Sequence, residues 1–353
     1  MNTNFLKLVF LSLLFMACSG DDDAILAEDP DDPNNGDPTT ERPYENGIFV
    51  VNEGGSEGSI SFIPNNLSEI EQGVFSAVNN GEDLGQFVQS IFFDEENAYI
   101  IANGSNLITV VDRFTFELQG SLENGLDVPR YGTIYNGKAY VTNQASFSTS
   151  DDDYIAVIDL ESLTVENEIN AGAVVEFIEE HNGQLIIQNA SYGMGNQLSV
   201  LNPNTNSIIQ SIEVGEGLNS MEIVGQSLYA LSSEKLVEVD LTNFSIATEI
   251  EFDENLQGSA NLQISEGILY LTNANEVFTA NLSDLAFDET PLLSYTSDSE
   301  FGVFYGFLVA DGRIFIADAG DFASNGDVFI FDLSGNVEAE FSTGIGPNGF
   351  YLN

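Results

Sequence analysis

The stretch PRYGTIYNGKAYVTNQASFSTSDDDYIAVIDL, residues 129–160, decides how this chain folds. Two runs within it, AYVTN at 139–143 and YIAVI at 154–158, are rich in β-branched and aromatic residues and are bounded by Asn-Gly and by Ser/Asp clusters, the pattern of short strands. The first run recurs. A pentad ending in Asn, Asp or Ser stands at 48–52 (IFVVN), 99–103 (YIIAN), 139–143 (AYVTN), 185–189 (LIIQN), 228–232 (LYALS), 269–273 (LYLTN) and 314–318 (IFIAD). The intervals are 51, 40, 46, 43, 41 and 45 residues, each the length of one four-stranded propeller blade. A second run follows after a loop, as in ITVVD (108–112), IAVID (155–159), LVEVD (236–240) and VFIFD (328–332). No window sustains a 3.6-residue period. The expected fold is all-β: a seven-bladed β-propeller of four-stranded antiparallel blades. A single blade cannot bury both faces of its sheet, so the units pack around one axis and form one domain over 46–353.

The ends of the repeat predict how the ring closes. Sequence before each pentad supplies an innermost strand, Phe87–Phe93 in the second unit and Arg130–Tyr135 in the third, but only an acidic stretch precedes the first pentad. Residues 344–353 read as an inner strand with no pentad after it. They are expected to pair with Gly47–Asn52, which removes two exposed sheet edges.

Composition excludes whole classes of function. Seven Lys and Arg face 57 Asp and Glu, a formal charge of −50, so nucleic acid and anionic membrane surfaces are repelled. With 43% hydrophobic residues the chain still has ample core. One His and one Cys leave little for imidazole catalysis or zinc, and no internal disulfide.

The N-terminus reads as a targeting segment. Lys7 precedes an apolar run, Leu8–Met16, too short to span a bilayer and right for a secretory signal. Its end, Phe15-Met16-Ala17-Cys18, resembles the bacterial lipobox, which implies a signal peptide over 1–17 and lipidation at Cys18. The Ser19-Gly20-Asp21-Asp22-Asp23 that follows looks like the acidic signal of Bacteroidota surface lipoproteins, implying an outer-membrane protein that faces the exterior. Each buried CH₂ of such an anchor contributes about 0.8 kcal/mol. Residues 21–45 hold ten acids and four of the nine Pro; residues 18–45 are therefore expected to be a disordered tether, with structured sequence from Asn46.

The repeat resembles the YVTN-type β-propellers of bacterial surface proteins. Unit three carries the likeness in Pro129-Arg-Tyr-Gly132, Asn136-Gly137-Lys138, the literal Tyr140-Val-Thr-Asn143 and Ile155-Ala-Val-Ile-Asp159. The absence of Trp sets it apart from WD-repeat and kelch propellers. Lipobox, acidic tether, Val51-Asn52-Glu53-Gly54 and Gly346-Pro347-Asn-Gly-Phe350 together look like lipoproteins that cap TonB-dependent outer-membrane transporters, one branch of which captures cobalamin. The resemblance implies a nutrient-binding protein that hands its ligand to such a transporter, with cobalamin as ligand and no cofactor required.

In a propeller the loops after the pentads share a face with the starts of the inner strands. The long ones are Glu53–Gly58, Gln144–Asp153, Ala190–Asn196 and Ala319–Asp327, and a ligand mouth is expected there. The inner-strand starts place Gln89, Arg130, Tyr131, Asn219, Asn261, Tyr305 and Asn348 at its rim, and the loops offer Phe147, Tyr192 and Phe322. Amides, phenols and aromatic rings in that arrangement suit a large, polar, nearly neutral ligand. Any one of them also reads as a turn residue or core aromatic. Arg130 is expected either to hold an anionic ligand group or to pair with Asp127 or another rim acid. Replacing it with an acid is expected to weaken binding without unfolding the domain. Asp151 and Asp153 in one loop, with Asp318, Asp321 and Asp327 in another, offer hard oxygen ligands for structural calcium, although neither loop has EF-hand spacing, and a solvated acidic loop is the simpler reading.

Two other function classes stay open. Catalysis would need more than His181, which falls in a turn on the face opposite the mouth, and lactonase propellers depend on His and Arg groups this chain largely lacks; paired carboxylates for glycoside cleavage are not rejected by spacing. A propeller that binds a protein or glycan without transport is the third class, with its negative field steering basic partners.

Overall fold

The computed structural model describes residues 42–297, 299 and 301–353. The signal segment, Cys18 and most of the acidic stretch lie outside the described residues. Unit three sets the type: strands Pro129–Tyr135, Lys138–Asn143, Tyr154–Asp159 and Thr164–Asn170 run antiparallel in sequence order from the axis outward. Asn136 and Gly137 join the first two at φ 51° and 74°, the left-handed pair that a tight hairpin turn requires. Units two and four to seven repeat this order.

Burial falls from the pentad strand outward. In Lys138–Asn143 every residue after the first is buried, whereas Thr164–Asn170 is mostly exposed. The pentad strand lies between two neighbouring blades, so it reads as a continuous apolar run and not as an alternation. Its side chains go to opposite neighbours. Ala139 and Val141 pack with Phe92, Tyr99 and Ile101 of unit two, while Tyr140 packs with Leu185 and Ile187 of unit four. The described residues form seven such clusters, one for each junction between consecutive units, including Phe315 and Ile330 of unit seven against Ile48 and Val50 of unit one. That last junction makes the array a ring.

Closure follows the predicted pairing. Pro347–Leu352 pairs with Gly47–Asn52, with Ile48 opposite Leu352 and Val51 opposite Gly349. Asn353 then secures the seam: its Nδ2 donates to the Tyr44 and Arg113 carbonyls at 2.6 and 2.9 Å, and Arg113 Nε donates to its Oδ1 at 2.8 Å. Unit one completes its sheet with Ser59–Pro64, and Glu71 takes the outer position through a two-way backbone bridge to Phe62.

Two expectations are corrected. The folded unit begins at Arg42 and not at Asn46, because Tyr44 is buried against Phe49, Phe62 and Phe116 and its hydroxyl donates to Glu71. The Ala190–Asn196 segment of unit four is not a loop: strands Gln184–Ser191 and Met194–Asn202 continue into it and leave only Tyr192-Gly193 as the turn.

Candidate functional site

The inner strands carry a recurrent irregularity that builds the mouth. Between Val88 and Ser90, Leu218 and Ser220, and Pro347 and Gly349 the register skips a residue, leaving Gln89, Asn219 and Asn348 unpaired in the ladder. In units three and six the skipped pairs are Arg130-Tyr131 and Asn261-Leu262. A bulge re-aims side chains out of the sheet, and here it turns them toward the axis at the end where the pentads finish. The pentad's final Asn supports this end: Asn143 Oδ1 accepts from the Asp127 N–H at 3.0 Å, and Asn189 Nδ2 donates to the Val174 carbonyl at 3.0 Å.

Six of the seven predicted rim residues line one cavity of about 260 Å³, namely Gln89, Arg130, Tyr131, Asn219, Tyr305 and Asn348, with Tyr192 from the unit-four turn. Asn261 lies deeper, in a channel cavity of about 380 Å³ that shares Tyr131, Asn219, Tyr305 and Asn348. Phe322 packs edge-on to Tyr305, ring centroids 4.8 Å apart. Phe147 belongs to a neighbouring cavity of which Tyr192 is the shared wall.

At the centre of the mouth is a buried ion pair. Arg130 Nε and Nη2 donate to Glu176 Oε1 at 3.2 and 2.7 Å, and Nη1 donates to Gln89 Oε1 at 2.7 Å. Glu176 Oε2 accepts in turn from Gln144 Nε2 at 2.8 Å and Ser191 Oγ at 2.6 Å. Burial works against the Arg130 charge, but the Glu176 carboxylate outweighs it and holds the guanidinium above its usual pKa. The Tyr192 ring lies over the guanidinium, 5.6 Å from centroid to Cζ. Arg130 thus pairs with an acid other than Asp127, and the expectation that its reversal leaves the fold intact is corrected: residue and partner are 6% and 7% exposed, so an acid there would face Glu176 without water.

The other polar groups divide their atoms between fold and opening. Asn219, Asn261 and Asn348 donate Nδ2 to the start of a neighbouring inner strand, at Ser259, Phe304 and Val88/Gln89. Their amides are therefore inter-blade clamps as well as rim groups. The Tyr305 hydroxyl donates to Glu53 Oε2 at 2.7 Å, and Tyr131 OH accepts from Gln89 Nε2 at 3.0 Å. Burial first, then the nearby Glu53 and Glu176, push both phenols above their ordinary range, so both stay neutral. Two buried oxygens of the mouth, Gln188 Oε1 and Asn348 Oδ1, have no hydrogen-bond partner.

Sequence reading missed Glu53, Glu176 and Gln188. It also missed two channel carboxylates, Glu179 and Glu222. Burial, with each acid's neighbouring Glu adding repulsion, raises Glu222 to about 8 and Glu179 to about 7. Glu179 keeps part of its surface exposed, so burial acts on it less fully than on Glu222, to which Gln263 Nε2 donates at 2.6 Å.

The calcium aspartates are not gathered. Asp318 accepts from Tyr295, Ser297 and the Gly320 N–H; Asp321 caps its own turn through Ala323 and Ser324; Asp327 stands opposite Asp318 across a strand pair; Asp151 is exposed. Among the described residues no three His, Cys, Asp or Glu side chains cluster as a metal site. His181 ends the short strand Ile178–His181, before the Asn182-Gly183 turn.

A family model described as a domain of unknown function, DUF5074, matches residues 46–314, from before the first pentad to the start of the seventh. The chain belongs to the DUF5074 family. No curated protein matches it. Solved structures similar to this DUF5074 chain include a quinonprotein alcohol dehydrogenase-like protein from Bacteroides thetaiotaomicron, 17% identical with a TM-score of 0.66, covering 88% of this chain and 78% of that one. BamB from Moraxella catarrhalis is 15% identical at TM-score 0.56, over 87% and 86% of the two chains. The computationally designed Ika8 protein is 11% identical at 0.58, over 88% and 92%. Likeness at this level is one of fold.

Proposed function

We propose that this DUF5074 protein is a cell-surface lipoprotein that captures a nutrient without covalent chemistry and passes it to a TonB-dependent transporter, and that the nutrient is cobalamin. The observation that carries the reading is the pair of buried, unpartnered acceptors at the mouth, Gln188 Oε1 and Asn348 Oδ1. Folded proteins leave few such atoms unpaired, and each one marks a site where a donor is missing. Around them stand Tyr192 and Tyr305, both partly in solvent, and a guanidinium already neutralised by Glu176. Such a rim selects a ligand rich in N–H or O–H donors with flat apolar faces and little net charge. The peripheral carboxamides and ring of a corrinoid have that chemistry. Cobalamin exceeds the cavity of about 260 Å³, so it would lie across the mouth with edge groups inserted.

The test is calorimetric titration of the protein with cyanocobalamin. A nanomolar or tighter constant supports capture. Silence at high micromolar ligand discards cobalamin and directs the search to glycans and other nutrients.

A further inference from the structure

We propose that the cavity between units three and four, beside the mouth, binds the primary ammonium group of a small organic cation. The cavity shares the Tyr192 wall with the mouth, but the inference does not depend on the reading above. It encloses about 460 Å³ between the 144–150 loop, residues 172–174 and the 189–197 hairpin. Its rim is apolar. Phe147, Tyr192 and Met194 are 73%, 67% and 62% exposed, and the two rings stand 6.4 Å apart at 65°. Clustered apolar side chains left in solvent mark a contact surface.

The inner wall is polar and buried. Gln144, Asp153 and Asn189 are 3%, 2% and 1% exposed. Each uses one polar atom on the same short piece of backbone: Gln144 Nε2 donates to the Val175 carbonyl at 2.9 Å, the Val175 N–H donates to Asp153 Oδ2 at 3.2 Å, and Asn189 Nδ2 donates to the Val174 carbonyl at 3.0 Å. The remaining atoms, Gln144 Oε1, Asp153 Oδ1 and Asn189 Oδ1, have no partner. All three are acceptors. An alkylammonium carries three N–H donors and no acceptor, so donor and acceptor counts match. These oxygens are buried, and the residues that carry them line the cavity.

Charge selects a cation. Burial holds Asp153 up at about 6, against the pull of the Val175 N–H, which leaves it ionised at neutral pH. Among the described residues no base compensates it. Arg42, Arg130, Lys138, Lys235 and Arg313 pair with Glu45, Glu176, Glu166, Glu249 and Glu338, and Arg113 turns to Asn353 and the Asp94 carbonyl. A buried carboxylate without a counter-charge is costly, and an incoming ammonium removes that cost. The Phe147 and Tyr192 faces add cation–π attraction and accommodate a carbon chain. A calcium ion would find three unpartnered side-chain oxygens, one of them a carboxylate's, where it requires about six to eight.

The experiment is calorimetric titration of the protein with n-butylammonium, tetramethylammonium and calcium chloride. Expected are saturable binding of n-butylammonium, binding of tetramethylammonium weaker by about tenfold because it lacks N–H donors, and a loss of about tenfold in Asp153→Asn. Phe147→Ala, on an exposed side chain, should lower affinity several-fold, and thermal melts establish that both variants are folded. No saturable n-butylammonium binding at millimolar concentration, equal binding by Asp153→Asn or tetramethylammonium, or a response to calcium alone overturns the assignment. Cyanocobalamin titrated in parallel reads the mouth, so failure of either reading is seen separately.

Discussion

Arg130 and Glu176 lie 46 residues apart in sequence, yet their guanidinium and carboxylate meet at 2.7 Å where units three and four adjoin at the mouth. The pair binds two inner-strand starts together before any ligand arrives. Arg130→Gln would leave a buried carboxylate facing neutral partners, and removing one member of such a pair costs about 3–5 kcal/mol. We expect a lower denaturation midpoint, partly restored by adding Glu176→Gln; chemical denaturation of both variants checks this.

Tyr192 sits at the turn with its ring over Arg130 and most of its surface in solvent. Tyr192→Ala is expected to change stability by no more than about 0.5 kcal/mol. It should weaken cyanocobalamin binding by about tenfold or more, as loss of an aromatic anchor does. Unchanged affinity in calorimetry would remove Tyr192 from the mouth site.

The channel acids give stability an inverted pH dependence. Both fold with pKa values above the reference 4.5, at about 8 for Glu222 and about 7 for Glu179. The native state therefore binds more protons than the unfolded state in that window, and the contribution is full below pH 4.5 and lost as pH rises through 7 to 8. Glu222→Gln should melt higher than the parent by roughly 1–3 °C above pH 8, with the gap closing toward pH 5. Melting curves of the two proteins across that range read the difference, and parallel curves would refute it.

Removing residues 346–353 deletes the whole closing strand and the Asn353 clamp. Unit one would then expose the unpaired edge of Gly47–Asn52 to the channel. The expected result is loss of the cooperative melt, and an unchanged midpoint would contradict closure by this strand.

The ring and its rim were legible because a repeat places equivalent residues at equivalent positions. Gln89, Asn219 and Asn348 are each the extra residue of a bulge; the spacing to the next pentad locates the first two, and the closing inner strand locates the third. Glu176 was legible on the same ground, since it stands nine residues before its pentad as Arg130 and Asn219 do before theirs, although its strand begins only at Ile178. A second signal was available, since a lone Arg beside a rim in so acidic a chain implies a nearby carboxylate. Tyr44 gives no such signal. A single aromatic anchor surrounded by Pro and acids leaves composition unchanged, so only its packing against Phe62 and Phe116 reveals it. The Ala190–Asn196 hairpin reads as a loop because Ser, Gly and Asn dominate it, and cross-strand pairing overrides that local preference.

The seam has a consequence for when the protein can mature. Residues 47–52 find their inner neighbour only in residues 347–352, some three hundred positions later. Until that segment is available, the earliest strand waits with one edge open and its Asn52 side chain lacks the Thr343 and Gly344 partners it holds at the seam. Long-range pairing of this kind forms late and slowly. A chain interrupted before that segment would thus be an open arc with a reactive edge in its first unit, and completion of the fold would report that residues 347–352 have been delivered.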